Sequence, residues 1–262
     1  EIPEELAAAG FAPTSTPEVL AARTGSLARI MLNRPKAINA LTTDMVDAVR
    51  GCLDAWRDDD TVTAVTIEGA GERGLCAGGD VRSVREAFLE GQHERTFSFF
   101  EREYRMNAAI ADYPKLIVSY QDGIVMGGGV GVSLHGSHRV VADTVTFAMP
   151  ECAIGLIPDV GASLLLGRTP GHFGEFLGLT GRRLDAGAKV TGHKVGLASE
   201  AMQKMMGVDE PDYGHLLDTM EYSQSQPVDT SRLCRPRVEL EVAFILGKDV
   251  PAEVAEKLEG IW

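Results

Sequence analysis

Two acidic residues stand in an apolar stretch of the sequence and are its first candidates for chemistry. Glu151 and Asp159 belong to the segment FAMPECAIGLIPDVGAS, in which most neighbours are apolar and two prolines interrupt regular structure. Burial raises the pKa of a carboxyl group toward neutrality, which suits a general acid or base. Two plainer interpretations stay open: Asp159 caps a helix over 160–167, and Glu151 is partly exposed on a loop.

Two glycine-rich loops, GAGERGLCAGGD and GIVMGGG, are the second feature. Neither fits a nucleotide-binding motif, because GxGxxG lacks its last glycine and Asp80 stands where a P-loop needs lysine. Loops at helix N-termini present backbone N–H groups, and two that converge can stabilise an oxyanion. The alternative is that the triple glycine at 127–129 only allows tight packing of helix on sheet.

Other ionisable residues are weaker candidates. Glu101 and Glu103 lie two positions apart in the segment FFEREY, so they cannot both face one site if that segment is helical. His135 and His138 flank a predicted helix end, where a lone histidine is more often structural than catalytic. We therefore expect no catalytic histidine.

The elements that must position these residues alternate between strand and helix, which indicates an α/β fold. In such folds the ligand site lies at loops that leave the strand ends, here 74–80 and 123–129. After a tail or short helix over 1–17, the pattern predicts a hairpin over 18–33, helices over 42–57, 81–90, 93–111 and 127–134, and strands over 61–69, 115–120, 138–143 and 145–149.

Composition narrows the class of protein. The 262 residues carry a net charge of −13, which disfavours nucleic-acid and anionic-membrane partners. No apolar run reaches the roughly 18 to 20 residues that span a bilayer, and the acidic start does not resemble a signal peptide. The four cysteines lack CxxC spacing, so we expect no thiolate metal site and a reducing, cytoplasmic location.

Five motifs in order carry a resemblance to a known family: LNRPKAINALT, GAGERGLCAGGDVR, FFEREY, GIVMGGGVGVSLHG and FAMPECAIGLIPDVGAS. Over about 18–183 the chain resembles the crotonase (enoyl-CoA hydratase/isomerase) superfamily, and FFEREY, MPE and IPDVG resemble its 3-hydroxyisobutyryl-CoA hydrolase branch. The resemblance implies an α/β fold built as a spiral of repeated ββα units. It also implies a small acyl-CoA substrate, no separate cofactor, and a possible homo-oligomer.

The resemblance assigns roles to particular residues. It implies that backbone N–H groups near Ala77 and at Gly128 hold the thioester oxygen of an acyl-CoA. It implies that Glu151 acts as base or as nucleophile, and that Asp159 positions water or a substrate hydroxyl. Substrate contacts are implied for Glu103, Gly128, Glu151 and Asp159. Coenzyme A contacts are expected for Arg34, Lys36, Ala37 and Asp80.

One position separates the hydrolase interpretation from hydration. By resemblance, a hydratase uses two glutamates around one water, one of them shortly after the triple glycine, where this chain has Gly131. The missing acid favours hydrolysis of a short 3-hydroxyacyl-CoA over hydration or isomerisation of an enoyl-CoA. A non-catalytic acyl-CoA-binding protein is a further alternative.

The C-terminal part has an atypical sequence, so we predict a tail over 1–17, a crotonase-like domain over 18–184 and a separate segment over 185–262. Residues 186–249 resemble 2-hydroxypenta-2,4-dienoate hydratases, which implies a substrate-site lysine at Lys194 and Mg²⁺-binding carboxylates at Glu239 and Glu241. A solvated strand face explains the two glutamates better, and we expect no metal site. Three explanations of this C-terminal segment stay open: a natural fusion, an engineered or composite sequence, and a diverged tail whose similarity is misleading.

Overall fold

The computed structural model describes residues 2–169, 173–196, 203–204 and 212–218. The chain divides into two compact units, with the boundary between Ala188 and Lys189. The division near Leu184 that the sequence suggests stays a prediction. No helix in the described ranges is long and apolar enough to cross a membrane.

Within the part of the chain that is described, nine strands lie in the first unit and one antiparallel pair of strands lies in the second. The strands of the first unit are β1 Ala12–Pro13, β2 Val19–Thr24, β3 Leu27–Leu32, β4 Ala64–Gly69, β5 Leu116–Gln121, β6 Ile124–Met126, β7 His138–Val141, β8 Thr146–Ala148 and β9 Leu184–Asp185. In the second unit, β10 Val190–Gly196 pairs antiparallel with β11 Asp212–Leu217.

Seven α-helices are described, and most fall where the sequence predicts them. They are α1 Glu4–Ala8, α2 Thr43–Arg57, α3 Val81–Leu89, α4 His93–Ala111, α5 Gly128–Leu134, α6 Ala162–Leu166 and α7 Phe173–Thr180. Short 3-10 helices cover Pro35–Ala37 and Glu151–Ile154. The prediction missed α7, both 3-10 helices and the strands β1, β6, β9, β10 and β11. The strands β1, β6 and β9 and the 3-10 helices have two to four residues, which is too short to show a period.

Successive repeats of strand, short strand and helix make the spiral. The main sheet has the order β1-β2-β3-β4-β5-β7, and its strands from β3 onward run parallel. Shorter pairings form a second layer, in which Leu41 pairs with Gly79, Cys76 with Val125, and β6 with β8. Each long strand is thus followed by a short one and then a helix or turn, which is the expected ββα repeat.

Helix α2 illustrates how local sequence sets this packing. The hydroxyl of Thr42 accepts a hydrogen bond from the Met45 amide and caps the helix. Its apolar face enters the main core with strands β2 and β3, and the buried residues are Met45, Val46, Ala48, Val49 and Leu53. The charged face stays in solvent.

The N-terminal segment packs on the outer side of the sheet. Helix α1 precedes strand β1, which pairs with β2. Phe11 is buried in a small cluster with Leu20, Ala22 and Met31, and the guanidinium of Arg29 lies 4.6 Å from the centre of its ring. Residues before Pro17 therefore share in the packing of the first unit.

Asn39 joins three loops beneath the strand ends. Its side-chain oxygen accepts from the amide of Arg34 at 2.8 Å, and its amide group donates to the carbonyls of Ala70 and Gly74. The residue is fully buried and has a φ of 53°, a conformation that asparagine tolerates better than most residues. Both the side chain and the backbone thus favour asparagine here.

We expect Asn39→Ala to destabilise the protein by about 3 kcal/mol, because buried backbone groups lose their partners and alanine is disfavoured at positive φ. The measurement is the free energy of unfolding in urea. The matched control is Asn33→Ala, which removes one exposed hydrogen bond to the Pro17 carbonyl and should cost much less. Equal losses for the two variants would contradict this role of Asn39.

Candidate active site

Helix α4 carries the first acidic group of the site. Its buried residues recur at helical spacing and include Phe99, Glu103 and Asn107. Glu103 is only 2% exposed, whereas Glu101 lies in solvent and pairs with Arg105. The two glutamates of FFEREY therefore face different directions, as their spacing predicts.

The glycine edge of α5 lies directly against two carboxyl groups. A Cβ atom on Gly127 would lie 2.8 Å from Oε1 of Glu151, and one on Gly128 would overlap Oε1 of Glu103. Gly127 also has a φ of 51°, which other residues rarely adopt. The triple glycine thus brings the backbone to the acidic groups, in addition to allowing helix packing.

Two backbone amides meet at this edge without a protein acceptor. Among the described residues, the N–H groups of Gly79 and Gly128 donate to none, and Gly79 N lies 3.1 Å from the Cβ position of Gly128. The expectation for Ala77 is wrong, because its N–H donates to the carbonyl of Ile38 at 2.9 Å. Gly79 and Gly128 are therefore the pair that can hold an oxyanion.

Glu151 begins the second 3-10 helix and is buried. It is 7% exposed, and its Oε2 has no hydrogen-bond partner, so the interpretation of a partly exposed loop residue is wrong. Burial, with a smaller contribution from the charge of Asp159, raises the pKa of Glu151 to about 7. A hydrogen bond from its own amide opposes this rise. Such a group can exchange a proton near neutral pH.

Asp159 sits on a strained turn and does not cap a helix. Gly161 is the N-cap residue of α6, and the Asp159 carboxylate instead accepts a hydrogen bond from the Tyr104 hydroxyl at 2.6 Å. Val160 has a φ of 47°, which is costly for a β-branched residue. His135 Nε2 lies 2.6 Å from the Val160 carbonyl oxygen and helps hold this turn, consistent with a structural histidine.

Three carboxyl groups therefore interact, of which Glu103 and Glu151 are buried and Asp159 is half-buried. Burial, with smaller contributions from the negative charges of Asp159 and Glu151, raises the pKa of Glu103 to about 8. The same burial, together with the hydrogen bond to Asp159, raises the pKa of the Tyr104 hydroxyl. Because mutual repulsion disfavours full ionisation, the cluster holds protons near neutral pH.

Tyr104 and Asn107 are site residues that the sequence analysis missed. Asn107 is buried, and neither atom of its amide has a hydrogen-bond partner. It lies one helical turn after Glu103, so the spacing of four on an apolar helix face was the available signal. Tyr104 offered no such signal, since its side chain is 42% exposed and its partner is distant in sequence.

The residues expected to bind coenzyme A lie near the first glycine loop. The Arg34 guanidinium contacts Asp80 at 2.8 Å and Glu18 at 3.3 Å, and Asp80 also caps α3. Lys36 is exposed and Ala37 half-buried in the first 3-10 helix. Carboxylates thus hold Arg34 in place, and the coenzyme A contacts stay a prediction.

The residues expected from the dienoate hydratase resemblance are only partly placed. Lys194 belongs to strand β10, and Glu239 and Glu241 lie outside the described residues. Within the described ranges no group of three His, Cys, Asp or Glu residues is arranged to hold a metal ion. The expectation of catalysis without a metal stays a prediction.

Comparison with known sequences identifies the family. A family model for enoyl-CoA hydratase/isomerase matches residues 27–210. The chain belongs to this family. The match confirms the predicted superfamily and extends beyond 183, where the sequence analysis ended the resemblance.

Individual members of the family support the predicted branch. 3-Hydroxyisobutyryl-CoA hydrolase 1 of Arabidopsis thaliana is 46% identical over 171 residues, which are 65% of this chain and 45% of that protein. The mitochondrial 3-hydroxyisobutyryl-CoA hydrolase of Danio rerio is 46% identical over 186 residues, 71% of this chain and 48% of that protein. The chain thus spans less than half the length of these relatives.

Solved structures of family members confirm the crotonase-like fold. An enoyl-CoA hydratase from Rhodobacter sphaeroides 2.4.1 superposes with a TM-score of 0.63 and 46% identity, covering 65% of this chain and 50% of that one. A carnitinyl-CoA dehydratase from Mycobacterium thermoresistibile gives the same TM-score and coverage with 50% identity.

The buried acid on α4 gives a test of stability against pH. The unfolded chain ionises Glu103 near its ordinary pKa of 4.5, whereas the folded chain keeps the proton up to about 8. Between these values the folded state binds more protons, so stability falls as pH rises. Glu103→Gln should therefore be more stable than the wild type at pH 8 and nearly equal to it at pH 4.

The measurement is urea unfolding of both proteins at pH 4, 6 and 8. The control is Glu101→Gln, the same substitution on the exposed face of α4, where the stability difference should stay small and nearly constant. A difference for Glu103→Gln that is independent of pH would show that folding does not raise the pKa of its carboxyl group.

Proposed function

We propose that this family member hydrolyses the thioester of a short 3-hydroxyacyl-CoA, of the 3-hydroxyisobutyryl-CoA type that belongs to valine breakdown. The observation that carries the proposal is the placement of the Glu151 carboxyl group against Gly127, beside the free amides of Gly79 and Gly128. A base next to an oxyanion site is what hydrolysis of a thioester requires. The names of the similar proteins support the choice of substrate.

The reaction follows from this arrangement. The thioester oxygen binds between the two amides, and ionised Glu151 takes a proton from the water that attacks the carbonyl carbon. The amides stabilise the resulting oxyanion, and each such donor is worth roughly 3 to 4 kcal/mol in the transition state. When the carbon–sulfur bond breaks, the proton passes from Glu151 to the leaving thiolate, so acid and free coenzyme A are released.

The other two acids bind the acyl group. Protonated Glu103 can donate a hydrogen bond at neutral pH, because its pKa is about 8. Asp159 accepts from Tyr104 and keeps its remaining lone pairs for water or a substrate hydroxyl. Coenzyme A is part of the substrate, and this mechanism uses no metal or redox cofactor.

Hydration of an enoyl-CoA is the second candidate, because similar solved structures carry hydratase and dehydratase names. The geometry favours it less. Hydratases resemble each other in a glutamate at the position of Gly131, and a Cβ atom there would lie 2.7 Å from Cβ of Val160 and 2.9 Å from Nδ2 of Asn107. The side chains of this protein leave no room for that acid.

A thiol-reagent assay for free coenzyme A, run on 3-hydroxyisobutyryl-CoA and crotonyl-CoA with and without EDTA, separates the candidates. Thiol release from the first substrate in both conditions supports hydrolysis. Loss of the crotonyl absorbance without thiol release supports hydration. A parallel absorbance assay with a 2-hydroxypenta-2,4-dienoate tests the remaining enzyme candidate: turnover that EDTA abolishes supports a metal-dependent hydratase. No turnover of any substrate supports a binding protein.

Glu151→Gln should keep the fold and lower the rate of thiol release at least about 100-fold, because the amide cannot accept the proton of the attacking water. Circular dichroism checks the fold, and Glu101→Gln serves as the matched control with unchanged turnover. Near wild-type turnover of Glu151→Gln would assign the base to another residue.

The pH profile gives an independent test. Because Glu151 must be ionised and Glu103 protonated, kcat/KM should rise with pH up to about 7 and fall above about 8. Glu103→Gln retains a donor that cannot ionise, so the fall on the alkaline side should disappear while the acid side stays. Retention of both sides in this variant would contradict the role given to Glu103.

A further inference from the structure

Helices α4 and α5 face each other through two matched pairs of residues. Glu103 lies over Gly128, and one turn further along both helices Asn107 lies over Gly131. The Gly128 amide is one of the two free donors, so the second pair sits one helical turn away from the proposed oxyanion site. Asn107 therefore continues the row of polar groups that Glu103 begins.

The Asn107 amide lacks every partner that a buried amide normally has. Its residue is 4% exposed, and neither Nδ2 nor Oδ1 makes a hydrogen bond. An unpaired buried polar group costs about 1 to 3 kcal/mol, and buried groups of this kind are rare in folded proteins. The cost is offset when a ligand supplies the missing partners.

The surroundings limit what that ligand group can be. Glu103 and Glu151 already have raised pKa values because charge is disfavoured here, so another anion would be repelled. On the other side, Val160 closes the space beside Gly131, one residue from Asp159. A small neutral group that both donates and accepts, such as a hydroxyl, fits these conditions.

We propose that the side-chain amide of Asn107 binds the hydroxyl group of the acyl chain and so selects 3-hydroxyacyl-CoA over plain acyl-CoA thioesters. This inference rests on the proposed hydrolase function and adds a substrate-binding residue to it. Gly131 is needed for this arrangement, because any other residue would place a Cβ atom against the side-chain amide of Asn107. A site that hydrogen-bonds a hydroxyl also discriminates strongly against substrates that lack one.

The test compares 3-hydroxyisobutyryl-CoA with isobutyryl-CoA, which differs only by the hydroxyl, in wild type and Asn107→Ala. We expect kcat/KM for the hydroxylated substrate to fall at least 10-fold and that for isobutyryl-CoA to fall much less, so that their ratio drops about 10-fold. An unchanged ratio would overturn the inference, and it is the result expected if Asn107 only holds a buried water.

A second variant guards against a loss of folding. Gly131→Ala keeps the amide but pushes a Cβ atom against Asn107 and Val160, and it should lower the same ratio. Thermal melting shows whether each variant is folded, and Glu101→Gln should keep the wild-type ratio. Absence of thiol release by the wild type from either substrate would instead overturn the proposed function, and this inference with it.

Discussion

The approach of a glycine edge to buried carboxyl groups is the constraint on which the rest of the structure depends. Glu103 and Glu151 lie against α5 because Gly127 and Gly128 have no side chains to exclude them. Removal from water and mutual repulsion make these acids expensive to ionise, which raises their pKa values into the range useful for proton transfer. The ββα repeats supply the rigid frame that tolerates this cost.

The turn at Asp159 and Val160 adds backbone strain as a second local cost in free energy. Val160 adopts a positive φ, and the turn is held by the Tyr104 hydroxyl on one side and by His135 on the other. Strain of this kind persists only where surrounding contacts determine the conformation. Helix α4 therefore supplies both an acid, Glu103, and the hydroxyl that fixes the neighbouring acid.

The sequence predicts most of the helices and strands and singles out the acidic residues of the site. It does not identify which backbone amides and side chains lie against those acids. The bounds of α4 and the end of α2 at residue 57 followed from local patterns, because the period of a helix is a local property. The choice between Ala77 and Gly79 did not, since it depends on the Ile38 carbonyl, which lies far away in sequence and takes the Ala77 amide. The choice between a helix cap and a site residue stayed open for Asp159 for the same reason, because its Tyr104 partner comes from another helix.

The position of Gly131 links these constraints to the choice of reaction. A glutamate there would collide with Asn107 and Val160, and it would add a fourth carboxyl group to Glu103, Glu151 and Asp159. The chain instead places a neutral amide at this point, which preserves polarity without further charge. The same fold can thus support hydration when a glutamate at 131 fills the space between α4 and α5, or hydrolysis when Asn107 fills it. A side chain at 131 would require a change at both Asn107 and Val160, because both lie within 3 Å of its Cβ position.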